Sequence, residues 1–538
     1  MKLKKVEIIK YKNFENIVID FENNNFSNVY SIASENGGGK SMLLQLIFTV
    51  LHSFIDENKK KYINNLLEDY SYKVDKKIDF IKFEIIYNNK NYYLEFFLTP
   101  IYWQNMDFNL YSDLKDLYRE IELNKIKQSK YQTIYSLKEL LQNFNRLTPL
   151  FKNNFREAEN IFVEIGLAND YEELRIEVNN NKIVEDYKEL IDKALKNSYL
   201  KFIDTKQLEM TYQDTKKDLN NLKINLENQH LKYITHIQNN SILLLKTDID
   251  NILLQELSNR VFLTAPNSQP FNFLKKDDKV EIFDSLISYS SVLEEVKKDL
   301  NNFYTYDFIA TDIILEAFKN AFDEDLNIKR KTKKYGNRYD ELSDRLKILL
   351  KDKEIIENED GTKVIFKLKN SDIELSPQSL SHGELKRVAI FIWLEHIVPK
   401  NSIILMDEID IALHPKWQYE LVDDLTKWSN SSQILLATHS PQILSSTYYK
   451  NIIKLENGEV KRYNKPPIDR DINAIITEVM DAPTFPENLL EFHKEYREFI
   501  NNGKVNTVEA KKLKEKILEY ESESSSFFQE INFDLELI

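Results

Sequence analysis

Apolar and polar residues alternate from the first positions of the chain. The runs LKKVEII (3–9), NIVIDF (16–21) and NVYSIA (28–33) predict three strands. A run of glycines follows, and from Ser41 to about Phe54 the apolar positions take helical spacing and then close up, as in a helix that becomes buried. Alternation returns at Ile78–Tyr87 and Asn91–Leu98. From about 105 to 335 the chain is rich in Leu, Lys and Glu at helical spacing and nearly free of glycine, which predicts a long helical insertion. Within it, Thr211–Gln238 has the pattern of a short coiled coil. Strand signals resume at Lys363–Leu368 and Asp372–Leu375, then come a helix, a strand at Ser402–Met406, a helix and a strand at Gln433–Ala437. From Pro466 onward the pattern is helical again, broken by Pro483 and Pro486. No repeat at solenoid periods is found. The layout is an α/β domain with one lobe at 1–104, a helical insertion at 105–335, a second lobe at 336–465 and a helical tail at 466–538.

Composition changes this picture little. Apolar residues are 42% of the chain, enough for a sizeable core. No apolar run reaches the roughly 20 residues of a membrane span. The best, Val388–Val398, contains Glu395 and His396 and reads as a buried helix. The start has no small-residue cleavage site, so no signal peptide and no membrane attachment are expected. The absence of cysteine excludes disulfides and fits a cytoplasmic protein. A net charge of −14 argues against a globally basic nucleic-acid binder. Lys329–Arg338 is a local basic stretch, read first as a solvated helix end.

The glycines locate the chemistry. Only nine occur, yet three stand together as Gly37, Gly38 and Gly39. They lie in Ala33-Ser-Glu-Asn-Gly-Gly-Gly-Lys-Ser41, between a strand and a helix, the context of a phosphate-binding loop. Backbone N–H groups from Asn36 to Gly39 and the positive end of the helix would wrap phosphates. Lys40 would reach the β and γ phosphates, and the Ser41 hydroxyl would bind Mg²⁺. Ser34 stands where such loops usually begin with glycine.

Three further segments complete a pattern. Ser402-Ile-Ile-Leu-Met-Asp-Glu408 is an apolar strand ending in two acids. Asp407 can hold Mg²⁺ beside Ser41, and Glu408 can orient or deprotonate an attacking water. Leu436-Ala-Thr-His-Ser440 sets His439 after another buried strand, where it can contact the γ-phosphate. Leu380-Ser-His-Gly-Glu-Leu-Lys-Arg387 opens a helix, and Ser381, Gly383 and Glu384 make a second anion site with no phosphate left in the same chain. That site is expected to cap the nucleotide of another copy. Lys386 and Arg387 are read as lying on a solvated face.

The ordered set resembles the ABC-type ATPases, with LSHGE as their signature, DE as Walker B and Asp410–His414 following it. His382 replaces the usual small residue. The resemblance implies an ATP- and Mg²⁺-dependent hydrolase of the EC 3.6 type. A Q-loop glutamine is also implied, and Gln207 is the first candidate for this Mg²⁺ ligand, with Gln104 second. Tyr11–Phe14 would lie near the base. The opening strands, DEIDIALHPKWQ and LLATHSPQIL resemble the soluble SMC, RecF and OLD-like branch. Arg470-Asp-Ile-Asn-Ala-Ile-Ile-Thr-Glu-Val-Met480 and the proline-punctuated tail resemble the PtuA-type ATPases of Septu and retron antiphage systems. That resemblance implies self-assembly, a separate HNH nuclease of the PtuB kind as partner, and nucleic acid reached through the complex.

No nuclease centre is found in the chain itself. The DxD of the tail, Asp469-Arg-Asp471, follows Lys-Pro-Pro-Ile and not an apolar strand, and reads as helix capping. The eight histidines form no H-N-H arrangement. Three alternatives stay open: a RecF- or SMC-like repair ATPase that clamps DNA, an ATPase paired with a Toprim effector as in PARIS, and an inactive nucleotide-binding scaffold.

Overall fold

The structure, a computed structural model, describes residues 1–21, 27–35, 37–54, 57–67, 76–103, 205–237, 241–274, 289–306, 310–350, 352–356, 364–369, 373–429, 431–467 and 470–537, with positions 106, 119, 279 and 371. Met1–Thr99 and Ile234–Ile538 form one compact unit, and Pro100–Tyr233 forms another. The strands in chain order are β1 (Lys2–Tyr11), β2 (Phe14–Asp20), β3 (Val29–Ser34), β4 (Ile78–Tyr87), β5 (Lys90–Pro100), β6 (Leu231–Ile237), β7 (Ser241–Lys246) and β8 (Val261–Ala265). They continue as β9 (Phe303–Thr305), β10 (Lys353–Ile356), β11 (Ile365–Leu368), β12 (Glu374–Leu375), β13 (Ile403–Asp407), β14 (Gln433–Ala437), β15 (Ile452–Glu456) and β16 (Glu459–Arg462).

Among the described residues, seven strands form one sheet in the order β16-β15-β3-β14-β13-β8-β9. All its pairings are parallel except the β15–β16 hairpin. Its central strands read VYSIAS, QILLA, IILMD and VFLTA, and every residue of them is buried. Such unbroken apolar runs belong to a parallel sheet covered on both faces. On one face lies helix Lys40–His52, in the core that also holds β1, β2, β4 and β5. On the other lie helices His382–Ile392 and Pro415–Trp428, packed with Ala310–Thr332 and Arg338–Leu349. A second sheet runs β2-β1-β4-β5-β7-β6, and a small one runs β10-β11-β12. The architecture is an α/β domain, a parallel sheet covered by helices on both faces, with a helical C-terminal region.

The expected helical insertion is corrected in two ways. Residues 241–246, 261–265 and 303–305, expected to be helical, are strands, and β8 and β9 complete the parallel sheet. SILLLK and VFLTA are apolar runs of five or six residues, too short for periodicity to separate strand from buried helix. The expected coiled coil is one helix, Thr205–Asn228, that stops before β6. His230 takes a left-handed φ of 57°, which ends the helical path before the β-rich LKYITHI.

The tail is helical as expected. Ile475 of helix Ile472–Glu478 and Val479 at its C-cap pack on Ala33, Leu444 and Ile452. Arg470 Nη1 donates to the carbonyls of Ser445 (2.8 Å) and Thr447 (2.6 Å), at the C-terminal end of helix Pro441–Ser446. Lys454 pairs with Asp481 behind it. Asp471 caps its helix by accepting from Asn473 N at 3.0 Å, whereas Asp469 lies outside the described residues. Helices Glu487–Asn501, Val508–Leu518 and Ser526–Leu537 then share a core of their own around Tyr496, Ile517 and Phe528.

Candidate functional site

β3, β14, β13 and β8 are parallel neighbours, so their C-terminal ends form one edge, and β14 lies between β3 and β13. Loops leaving this edge of an open parallel sheet are where ligands bind. Three of the expected segments leave it, together with one that the sequence pattern missed. β3 runs into the glycine loop, β13 ends at Asp407, β14 ends just before Thr438-His439, and β8 leads to a short helical turn at Gln269–Phe273.

The glycine loop is shaped by what its residues lack. Gly37 and Gly39 have φ of 79° and 94°, the left-handed region that side chains resist. A Cβ on Gly38 would stand 2.6 Å from the Ser34 side chain, and one on Gly39 would stand 2.7 Å from the Phe14 ring. Ser34, the departure from the usual leading glycine, thus fills the space that Gly38 leaves. Its hydroxyl accepts from Lys40 Nζ at 2.9 Å, and its carbonyl accepts from the same ammonium at 3.2 Å. Tyr11 and Phe14 are buried and belong to the core beneath the loop. Asn36 lies outside the described residues.

Charge is concentrated around Lys40. Burial pushes its pKa down to about 8, against the pull of Asp407, Glu408 and Asp410. Burial raises Asp407 to about 6, the Ser41 hydroxyl beside it lowers it, Glu408 raises it again and Lys40 opposes. His439 is held below its ordinary value by burial and by Lys40, while Asp410 and Glu408 pull the other way. These groups feel one another, so the structure brings Lys40, Ser41, Asp407, Glu408 and His439 to one place.

Asp407 Oδ1 is buried and accepts no hydrogen bond, which is costly for a carboxylate oxygen. A divalent cation shared with Ser41 would satisfy it, so the donor set fits Mg²⁺. Asp407 Oδ2 accepts from Gln269 Nε2 at 2.6 Å. Gln269 is itself buried, bonded to Gln45 and accepting from Asn272 at 3.0 Å. The glutamine beside Asp407 is therefore Gln269 and not Gln207. Gln207 belongs to helix Thr205–Asn228 of the other unit and its side chain is outside the described residues, as is Gln104. Reading VFLTA as helix hid the signal, which is a glutamine four residues past the end of a buried strand.

Glu408 leaves β13 with φ of 50°, and its N–H donates to Ala437 O at 3.1 Å. A non-glycine residue in this region costs about 1–2 kcal/mol, held here by the neighbouring strand. Asp410 accepts from Thr438 Oγ1 at 2.9 Å, and Thr438 Oγ1 accepts from Ser440 N at 2.9 Å. Ser440 Oγ donates to Gln418 Oε1 at 2.7 Å, and Gln418 Nε2 returns to Leu413 O at 2.9 Å. The segment after Glu408 and the loop bearing His439 are thus tied by side chains that the sequence patterns had not singled out. His414 caps helix Pro415–Trp428 by accepting from Lys416 N at 3.2 Å.

Ser381 caps helix His382–Ile392 in a capping box with Glu384. Ser381 N donates to Glu384 Oε2 at 3.0 Å, and the other carboxylate oxygen pairs with Lys353. Ser381 and His382 are exposed, whereas Gly383 is buried. Lys386 and Arg387 are buried as well, a correction to the solvated face expected for them. Lys386 Nζ donates to Ile411 O at 2.8 Å, and Arg387 pairs with Glu420 at 2.9 Å and Asp424 at 2.5 Å. A Cβ on Gly383 would stand 2.8 Å from Ala412 O and 3.0 Å from the Trp417 ring. Gly383→Ala is therefore expected to destabilise the fold by about 1–3 kcal/mol, read as a lower urea midpoint at unchanged slope.

Residues 244–445 match the family described as "AAA domain, putative AbiEii toxin, Type IV TA system". The matched stretch contains Gln269, the signature and the Asp407–His439 region but not the glycine loop. Several curated relatives are similar to parts of the chain. The Retron Ec83 probable ATPase of Escherichia coli is 26% identical over 156 residues, covering 27% of this chain and 29% of that protein. The Septu protein PtuA of Bacillus thuringiensis is 28% identical over 107 residues, covering 18% and 27%. The chain resembles the PtuA-type ATPases. It spans less than a third of the length of the curated relatives it matches. Among solved structures, an SMC head bound to the C-terminal winged-helix domain of ScpA covers 86% of this chain and 97% of its own, at 10% identity and a TM-score of 0.35.

Proposed function

We propose that the chain is an ABC-type ATPase of an antiphage defence system, closing its nucleotide site between two copies and gating a separate HNH effector nuclease of the PtuB kind. One observation carries the two-copy reading. Lys40, Asp407, Glu408 and His439 sense one another, whereas exposed Ser381 directs its hydrogen bonds to its own Glu384. One chain thus offers a phosphate loop with acids and a spare anion site at a helix start, and a second copy can use each to complete the other.

In this reading Gly37–Lys40 wrap the phosphates, Ser381 and Gly383 of the partner copy cap the γ-phosphate, and Glu408 draws the proton from the attacking water. His439 contacts the γ-phosphate and reports its loss through the Thr438–Asp410 bond to the segment after Glu408. Ser41, Asp407 and Gln269 would hold Mg²⁺, which when bound neutralises charge on the phosphate oxygens. The chain's similarity to retron and Septu ATPases supports the defence role, and the tail, fastened through Arg470 to helix Pro441–Ser446 that follows His439, is the segment placed to pass closure onward.

Affinity for nucleotide with Mg²⁺ is expected to peak between about pH 6 and 8. Asp407, raised to about 6 in the fold against 3.8 ordinarily, is most favourable to the fold below about pH 4, and that contribution is lost as pH rises through 6. Cation binding needs the ionised form, so below pH 6 affinity should fall by about tenfold per unit. Lys40, lowered to about 8, loses its charge above that value and weakens phosphate binding. Titration of a non-hydrolysable analogue with Mg²⁺ from pH 5 to 9 reads both flanks, and a flat profile would remove Asp407 from the cation site.

The partner reading is tested by isolating the tagged chain from its native operon with ATP, followed by native mass and peptide identification. An HNH protein in a stable complex supports it. A lone ATP-dependent dimer that retains DNA would replace it with a DNA-clamping ATPase.

A further inference from the structure

Helix Ala310–Thr332 ends in Lys329, Arg330 and Lys331, and the turn to helix Arg338–Leu349 adds Lys333 and Lys334. The negative end of the helix accounts for cations in its last turn. It does not account for the two beyond it, nor for Tyr335, which is 61% exposed among them. Arg330, Lys331, Lys333 and Lys334 are exposed and form no ion pair among the described residues, while Arg338 is engaged by Glu324 at 3.6 Å and Glu341 at 3.3 Å. In a chain of net charge −14, these four cations within five positions are a local reversal of sign.

The turn is built to one shape. Asp325 is buried, and its carboxylate accepts from the backbone N–H of Arg338 and of Tyr339, each at 2.9 Å. Gly336 is required there, since a Cβ would run into that carboxylate. Thr332 Oγ1 donates to Ile328 O at 2.8 Å, and Lys333 takes a left-handed φ of 65°. The Lys329 ammonium lies 3.7 Å from the centre of the Tyr335 ring, a cation on an aromatic held in water.

We infer that this turn is a binding site for single-stranded nucleic acid, with Tyr335 as a stacking platform for one unpaired base and Arg330, Lys331, Lys333 and Lys334 as contacts to flanking phosphates. An exposed ring beside unpaired cations is the combination that single strands use. A duplex offers phosphates but no free base face, so the aromatic selects the single strand. The site is independent of the nucleotide-binding residues and of the partner proposed above.

Fluorescence anisotropy of a labelled 20-nucleotide oligo-dT tests it on the full chain. Arg330→Glu, Lys331→Glu, Lys333→Glu and Lys334→Glu combined should weaken binding at least a hundredfold. They should also flatten the slope of log affinity against log salt by about three, at roughly 0.7 per phosphate contact. Tyr335→Ala should weaken it about tenfold while Tyr335→Phe retains it. Unchanged binding of a fluorescent ATP analogue would confirm that the variants are folded. Equal oligo-dT affinity for the fourfold variant and the wild type would overturn the site. Equal affinity for duplex and single strand, with Tyr335→Ala neutral, would overturn the stacking role. Binding to phosphatidylserine vesicles in preference to oligo-dT would reassign the turn to a membrane surface.

Discussion

Glu408→Gln is expected to bind ATP normally while phosphate release falls by about 10²–10⁴-fold, the usual worth of a positioned general base. Glutamine keeps the length and shape of the side chain but cannot take a proton. The backbone strain at this position, φ of 50°, is borne equally by both residues, and the N–H bond to Ala437 O is untouched. The fold should therefore survive, and the defect should lie in turnover. With hydrolysis blocked, the proposed closed two-copy state is expected to accumulate. Light scattering should find a dimer or larger assembly with ATP that ADP does not support. Equal turnover by the wild type and Glu408→Gln would remove Glu408 from the role of base and move attention to His439.

Lys40→Ala is expected to abolish measurable nucleotide binding, a loss of about 2–5 kcal/mol or more, as for one partner of a buried charge pair. Its effect on the free protein should have the opposite sign. Lys40 is buried with a pKa lowered to about 8. A group depressed in this way stabilises the fold above its ordinary value near 10.5, and that stability is lost as pH falls through 8. At pH 7 the charged ammonium is thus held in the site at a cost, and alanine removes it. The melting temperature without nucleotide should stay level or rise, and the shift normally produced by ATP with Mg²⁺ should vanish. Loss of both binding and stability would mean that Lys40 holds the loop together through Ser34 and has no phosphate-specific role.

The limits of local pattern show in particular residues. Ser41–Phe54 was legible as a helix because a glycine stop and helical spacing agree, and the structure begins it at Lys40. The strand at Gln433–Ala437 was legible to the residue, since four apolar positions follow Gln433 between polar boundaries. β8 was not, because a short apolar run such as VFLTA fits strand and buried helix alike and only pairing with β13 and β9 makes it a strand. Gln269 was lost with it. Lys386 and Arg387 looked like surface charges because their partners, Ile411 O, Glu420 and Asp424, are 25 to 37 positions away.

The sequence by itself determined the chemistry carried by short segments. Glycines at positive φ before Lys40 and Ser41, acids at the end of a buried strand, and the Ser381–Glu384 capping box all depend on neighbours within a few residues. Tertiary structure alone decided which strands lie side by side. It set β14 between β3 and β13, brought Gln269 to Asp407, and pressed Gly383 against Ala412. These are contacts between residues far apart in the chain. Their free energy comes from burying apolar strands and pairing backbone groups in one particular order, which no local pattern encodes.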